Sequence, residues 1–388
     1  MSNYRGKFVP SVAIAVICLL WISCGGGNTP RQQCQGATCV PSPSTFLYLT
    51  ALDDISGFKL AASGSPGTSF QNLSGPNSSF AIVADPSGKF LYVSDFENST
   101  VLAYSIDGST GVLTLVPGSP FSASGPSDAT GLAVDPSGKF LYVTLGNSNQ
   151  IAGFSIAPTT GVLTPIAGLP LPAGNTSWQT IVDSSGKFLY VSNLNDPGGA
   201  ISAYNIDPSS GALTEISGSP FVTQANYPGP AGLALGGGGK FLYVAMVGTV
   251  NANDVVSAFS IDPNTGALTP VAGSPFTAGQ GPISVATDPS GKFLFTANVQ
   301  EDTVSAFTIN SSSGALTPVA GSPFPTHSAP FDVAVDPTGK FVYVANSGFG
   351  DLSVFSINAT TGALTPVAGS PFTTGQQEPS GLAIVKTQ

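Results

Sequence analysis

The strongest constraint in this chain is an internal repeat. A five-residue phrase returns six times, as Asp85-Pro-Ser-Gly-Lys89, Asp135-Pro-Ser-Gly-Lys139, Asp183-Ser-Ser-Gly-Lys187, Gly236-Gly-Gly-Gly-Lys240, Asp288-Pro-Ser-Gly-Lys292 and Asp336-Pro-Thr-Gly-Lys340. Its lysines stand 50, 48, 53, 52 and 48 residues apart. A period near 50 that holds four short apolar runs predicts one four-stranded propeller blade per repeat. The 47 glycines and 33 prolines of the chain would point to disorder if scattered without period, but here they recur at fixed places.

The phrase has Asp first, Pro second and Gly fourth, the preferences of a type I β-turn between two strands. In the second full copy the strands are Leu132 to Val134, Phe140 to Val143, Ile151 to Ile156 and Val162 to Ala167. Runs such as Phe341-Val-Tyr-Val-Ala345 lack the alternation of a sheet with one wet face, so both faces must be covered. Blades stacked around an axis cover each other. Pro165, Pro270, Pro318 and Pro366, with Glu215 in another copy, occupy equivalent places in the fourth strand and blunt its free edge.

Six copies run from about Ala81 to Ser380 and leave a fragment at each end. Gly381-Leu-Ala-Ile-Val385 matches a first strand, while Phe46 to Leu49, Ser56 to Leu60 and the region to Leu73 match strands two to four. Joined, they complete a seventh blade. The expectation is an all-β, seven-bladed propeller over 45–388, closed by its two ends sharing one blade.

The repeat resembles the seven-bladed YVTN and lactonase-type (6-phosphogluconolactonase-like) propeller family, whose motif is carried by Lys340-Phe-Val-Tyr-Val-Ala-Asn346. The resemblance implies lactone hydrolysis as one activity, with an Arg-His pair just before a first strand and an Asn-Glu pair after a second strand. The first pair of places reads Phe80-Ala81, Thr130-Gly131, Trp178-Gln179, Ala231-Gly232, Ile283-Ser284 and Phe331-Asp332. The second reads Asn193-Leu194, Asn298-Val299 and Asn346-Ser347 where Asn is present. Neither family pair is found. A fold of this kind hosts many activities, so function has to be argued from the site.

The N-terminus carries Arg5 and Lys7, an apolar run from Phe8 to Ile22, then Ser23-Cys24 and three glycines. The run is too short for a membrane span and reads as the core of an export signal. The segment resembles a bacterial lipoprotein signal, which implies cleavage before Cys24 and lipidation of that cysteine. Trp21 stands where the family usually has Leu. The expected division is a signal over 1–24, a Gly/Gln/Pro/Ser tether over 25–44 and the propeller. The exported protein would be membrane-anchored through its lipid, or else secreted, and monomeric. In an oxidising compartment Cys34 and Cys39 can close a small disulfide loop.

Charged residues are 8% of the chain, and the formal charge is −10. Loss of Arg5 and Lys7 with the signal takes it to −12. Nucleic acid is excluded as a partner, because phosphate contacts need clustered Lys and Arg. The six repeat lysines fall on one face of the ring. The opposite face collects Asp53, Asp54, Asp95, Glu97, Asp196, Asp254, Glu301, Asp302 and Asp351, with Asp128, Asp332 and Glu378 from loops leading into first strands. It is either a solvated rim or a surface for a cation, a basic peptide or a small polyhydroxylated ligand.

Phe80, Trp178 and Phe331 fall just before first strands, at the central mouth, either as a stacking surface or as packing against loops. The candidate ligand site is therefore Trp178, Phe331, Asp332, Asp128 and Phe80. His327, the sole histidine, is a candidate general base or an inert loop residue. A rearranged lactonase site would use His327 or Asp332 as base, with Asn298 and Asn346 polarising the substrate. There is no Gly-x-Ser-x-Gly elbow and no histidine pair for zinc, and no cofactor or metal is implied. Gly236-Gly-Gly-Gly-Lys240 is read as a turn, because Phe241 stands where a phosphate loop needs Ser or Thr. The leading reading is a binding or scaffold module. Lactone hydrolysis is the alternative, and a purely structural envelope protein is the third.

Overall fold

The structure is a computed structural model that describes residues 33–35, 38–40, 44–75, 78–124, 128–195, 199–223, 229–247 and 254–387. The expected signal with Cys24, and Asp196 of the expected acidic face, lie outside the described residues. The chain divides into Met1–Ser42 and Pro43–Gln388. In the first unit Gln33–Gln35 and Thr38–Val40 form an antiparallel hairpin within the expected tether, and Cys34 and Cys39 are register partners across it.

The second unit is a seven-bladed β-propeller of antiparallel blades. Blade 2 is representative. Its strands are Ala129–Val134, Phe140–Leu145 and Gln150–Ile156, and its fourth strand is broken into Leu163–Pro165 and Leu171–Pro172, both paired with the third. A cis Leu169-Pro170 bond lies between the two pieces. Blades 1 to 6 share this broken outer strand, which the repeat does not reveal as two segments. Pro165 opposes Phe154 in blade 2, and Glu215 opposes Tyr204 in blade 3, so the edge-blunting residues sit where the repeat places them.

The turn phrase folds as its residues dictate. In blade 2 the Gly138 N–H donates to the Asp135 carbonyl at 2.8 Å, closing the turn with Gly138 at φ +71. Asp135 Oδ1 accepts from the backbone N–H groups of Lys139 and Phe140 at 2.7 and 2.6 Å. Such an aspartate is spent on its own turn, and Asp135 is buried.

The ring closes through the chain ends. Gly381–Lys386 is the innermost strand of blade 7 and pairs antiparallel with Thr45–Ala51, with Phe46 opposite Val385 and Leu49 opposite Leu382. Each gap between neighbouring blades is filled by its own apolar cluster, as the two-sided apolar runs require. Second-strand tyrosines bolt one blade to the next. Tyr142 donates to the Gly211 carbonyl at 2.8 Å, Tyr190 to Gly266 at 2.9 Å and Tyr343 to Gly64 at 2.8 Å. Burial pushes the hydroxyl pKa of each of these tyrosines upward, keeping it a neutral donor.

Candidate functional site

The seven innermost strands run down the axis, and their starting ends surround one mouth of the central channel. Counted up from the tyrosine level of the second strand, the same place is held by Phe80, Thr130, Trp178, Ala231, Ile283, Phe331 and Ser380. The next place inward is held by Ala81, Gly131, Gln179, Gly232, Ser284, Asp332 and Gly381. Crowding explains the glycines. A Cβ on Gly131 would lie 2.7 Å from the Trp178 carbonyl, and one on Gly232 would lie 2.8 Å from the Ile283 carbonyl. Side chains of these two levels line a cavity of about 230 Å3. These are the very places at which the family's Arg-His pair was sought.

Aromatic side chains occupy the outer level only in blades 1, 3 and 6, and there they meet across the axis. Phe80 and Trp178 stand edge to face with centroids 4.7 Å apart at 83°. Phe80 and Phe331 are 6.0 Å apart, also at 83°. Phe96 backs Phe80 at 6.3 Å. None of the three mouth rings is sealed; each keeps part of its surface on the channel. Non-adjacent blades contribute the rings, so the cluster exists only in the closed ring.

Asp332 lies beneath the rings and is the one ionisable side chain that lines the cavity. Its Oδ1 accepts from the Ser284 hydroxyl of blade 5 at 2.7 Å and from its neighbour's Val333 N–H at 2.9 Å. Its Oδ2 accepts from the Leu382 N–H of blade 7 at 2.8 Å. The carboxyl keeps a little surface on the channel but is ringed by protein on every other side. Burial pushes its pKa above the ordinary aspartate value, against the lowering effect of the Ser284, Leu382 and Val333 hydrogen bonds.

Other expected site residues fall elsewhere. Asp128 is fully buried and does not reach the channel cavity. It accepts from the Ser99 hydroxyl of blade 1 at 3.1 Å and from the Ser148 N–H of blade 2 at 2.5 Å, so it is a clip between loops and not a ligand group. Asn298 and Asn346 are also fully buried. Their amides donate within the blade, Asn298 to Thr303 and Ser305 and Asn346 to Asp351 and Ser353, which removes them as substrate-polarising donors.

His327 is half-exposed and lies off the channel cavity. Its Nδ1 meets the Asp351 carboxylate in the one ion pair found among the described residues, and its ring stacks on Phe349 at 4.2 Å. The acidic rim is thinner than its sequence count. Asp95 is buried and caps its own turn through Asn98, and Asp351 is buried against Asn346 and His327. Sequence reasoning passed over Ser284 and the Asp351–His327 pairing, because both depend on partners 48 and 24 residues away.

The fold is shared with solved structures. A 6-phosphogluconolactonase candidate from Bacteroides uniformis superposes with a TM-score of 0.76 at 20% identity, covering 88% of this chain and 99% of that one. A second candidate, from Bacteroides fragilis, gives 0.75 at 21% identity over 88% and 98% of the two chains. The periplasmic gluconolactonase of Pseudomonas aeruginosa gives 0.72 at 18% identity over 89% and 100%. At these identities the likeness is one of fold. No curated protein matches the chain. The family described as lactonase, 7-bladed beta-propeller, matches residues 51–178 and 219–329, more than half of the sequence. With the blade count, the strand order and this match in agreement, the chain belongs to the lactonase family of seven-bladed β-propellers.

Proposed function

We propose that the protein is an exported, lipid-anchored binding module that captures a small ligand at the channel mouth formed by Phe80, Trp178, Phe331 and Asp332. The observation that carries this reading is the convergence of three rings from blades 1, 3 and 6 above one carboxylate. The side-chain hydroxyls of that cavity that would serve a hydrolytic step are engaged by protein. Ser284 donates to Asp332, and Thr130 bonds Thr144 and the Ser177 carbonyl. A polyhydroxylated molecule or the side chain of a basic peptide is the ligand class considered first. The anchor would be the lipid on Cys24, with Cys34 and Cys39 oxidised across their hairpin.

A native mass spectrum of the exported chain tests this reading. It reports the lipid, the thiol state and any retained small molecule. A retained mass that disappears in the Trp178→Ala, Asp332→Asn double variant supports the site. Retention unchanged by the double variant, or no retained mass in the parent, rejects it, the second result favouring a structural envelope role.

The second reading, lactone hydrolysis, is favoured by family membership and by the half-buried acid at the place of the family's catalytic pair. Asp332 would then act as base toward water. Unphosphorylated lactones such as glucono-1,5-lactone decide it. Acceleration above buffer that is lost in Asp332→Asn establishes hydrolysis, and no acceleration by folded protein removes it.

A further inference from the structure

We infer that the channel mouth is built for a small organic cation, an alkylammonium or quaternary ammonium head, held on the faces of Phe80, Trp178 and Phe331 with Asp332 as its counter-ion. The inference rests on the binding reading above and narrows it to one ligand chemistry.

Four observations carry it. First, two ring pairs set at 83° make corners, and a group seated in such a corner meets π-faces from more than one direction. Ring faces are negative and attract cations within about 6 Å of their centroids, Trp most strongly. Second, the carboxylate beneath them has no cationic partner among the described residues. A carboxylate offers roughly four lone-pair directions, and the Ser284, Val333 and Leu382 donors take three of them.

Third, no lysine or arginine among the described residues lines the cavity. Lys89, Lys139, Lys187, Lys240, Lys292 and Lys340 all sit in first-to-second-strand turns at the opposite end of the channel, and Lys386 ends its innermost strand there. His327, on the ligand face, is paired with Asp351 and lies off the cavity.

Fourth, the hydroxyls of the cavity are already committed to protein partners. Thr130, Ser284 and Ser380 spend their hydroxyls on protein partners, and Gln179 Oε1 accepts from the Leu233 N–H at 2.5 Å. A sugar would find those hydroxyls already committed and only the Gln179 amide NH2 without a partner among the described residues, at a desolvation cost for each of its own hydroxyls left unpaired. A methylated ammonium has no such demand and needs only negative potential and apolar contact. The volume, about 230 Å3, lies below the span of roughly 300–1,000 Å3 usual for drug-sized ligands and fits a compact head group.

Calorimetric titration of the full chain tests this with choline chloride, its uncharged isostere 3,3-dimethylbutan-1-ol, and glucitol, at constant ionic strength. The expected result is saturable choline binding, with the isostere weaker by about tenfold or more. Asp332→Asn, Trp178→Leu and Phe331→Leu should each weaken choline by a similar factor, the last two leaving the Asp332 hydrogen bonds in place should the first fail to fold. Equal binding of choline and its isostere overturns the inference, as does choline binding that none of the substitutions changes. Binding of glucitol with choline silent overturns the cation and leaves a binding site. Silence of all three, joined to no retained mass in the native spectrum, defeats both the cation and the binding reading.

Discussion

Leu382, in the last strand of the chain, donates its backbone N–H to the Asp332 carboxylate at 2.8 Å. Blade 7 is made from both ends of the propeller, so the strand that closes the ring also fixes the one acid that lines the mouth cavity. Architecture and candidate site therefore share a bond, and disturbing one disturbs the other.

Removal of residues 381–388 should unfold the ring at its seam. The strand buries Leu382, Ala383 and Val385 against Phe46, Leu49 and their neighbours. Burial of side chains of this size is worth about 1.5–3 kcal/mol each for the larger ones. At about 2 °C per kcal/mol for a domain of this size, loss of Leu382 and Val385 alone should lower thermal unfolding by roughly 6–12 °C. Calorimetry on the truncated chain checks this, and an unaltered transition contradicts the closure.

The tyrosine bolts make a paired prediction. Tyr142→Phe should cost about 1–2 kcal/mol, because the Gly211 carbonyl loses its buried donor. Tyr92→Phe should be neutral or slightly stabilising, since the Tyr92 hydroxyl is buried without a partner among the described residues. Blade 5 already carries Phe295 at this place. Urea unfolding of the two variants separates them, and equal losses would contradict the assignment.

Gly211→Ala should destabilise by about 2–4 kcal/mol, combining a left-handed backbone with overpacking. Gly211 has φ +74, and an added Cβ would lie 2.5 Å from Phe140. Chemical denaturation measures it, and a loss under about 1 kcal/mol would show that Phe140 yields easily.

Asp332 sets a pH dependence of opposite sign to the usual carboxylate. Burial raises its pKa in the folded state, so the folded protein holds that proton more tightly than the unfolded chain does. Its contribution is most favourable below the ordinary aspartate range and is lost as pH rises through the raised folded value. The stability of the parent relative to Asp332→Asn should therefore fall as pH rises across that window. Denaturation of both proteins from acid to neutral pH tests the sign, and a constant difference would contradict it.

His327→Ala should leave choline binding unchanged and cost about 1 kcal/mol or less, in keeping with a partly exposed pair. Its ring lies off the cavity, and Asp351 keeps the Asn346 donor. Titration of the variant measures this, and lost binding would move the site toward blade 6.

Much of the fold was legible because its signals are local. Asp135-Pro-Ser-Gly138 prescribes a turn from its own residues, and the six copies of the phrase mark six of the seven blades. The seventh blade was legible because Gly381 to Val385 and Phe46 to Leu49 are two recognisable parts of one pattern. The broken outer strand was not, because Leu163–Pro165 and Leu171–Pro172 read as one run until both are seen paired to the third strand.

The site was legible to the extent that position in a blade determines it. Phe80, Trp178 and Phe331, expected just before first strands, share the second place within them, and the ring brings them together. Asp128 stands in the loop three places before Gly131, the blade 2 counterpart of Asp332, and Ser99 and Ser148 bury it; nothing near Asp128 in the chain announces partners that arrive from two blades. Asn298 and Asn346 likewise looked available until third-strand serines took their amides.

The most direct measurement is a diffraction structure of the protein crystallised with choline chloride. The account predicts a quaternary ammonium in the channel mouth, within about 6 Å of the Trp178 ring and beside Asp332. A mouth holding only water, with choline bound at another place on the ring, would contradict it.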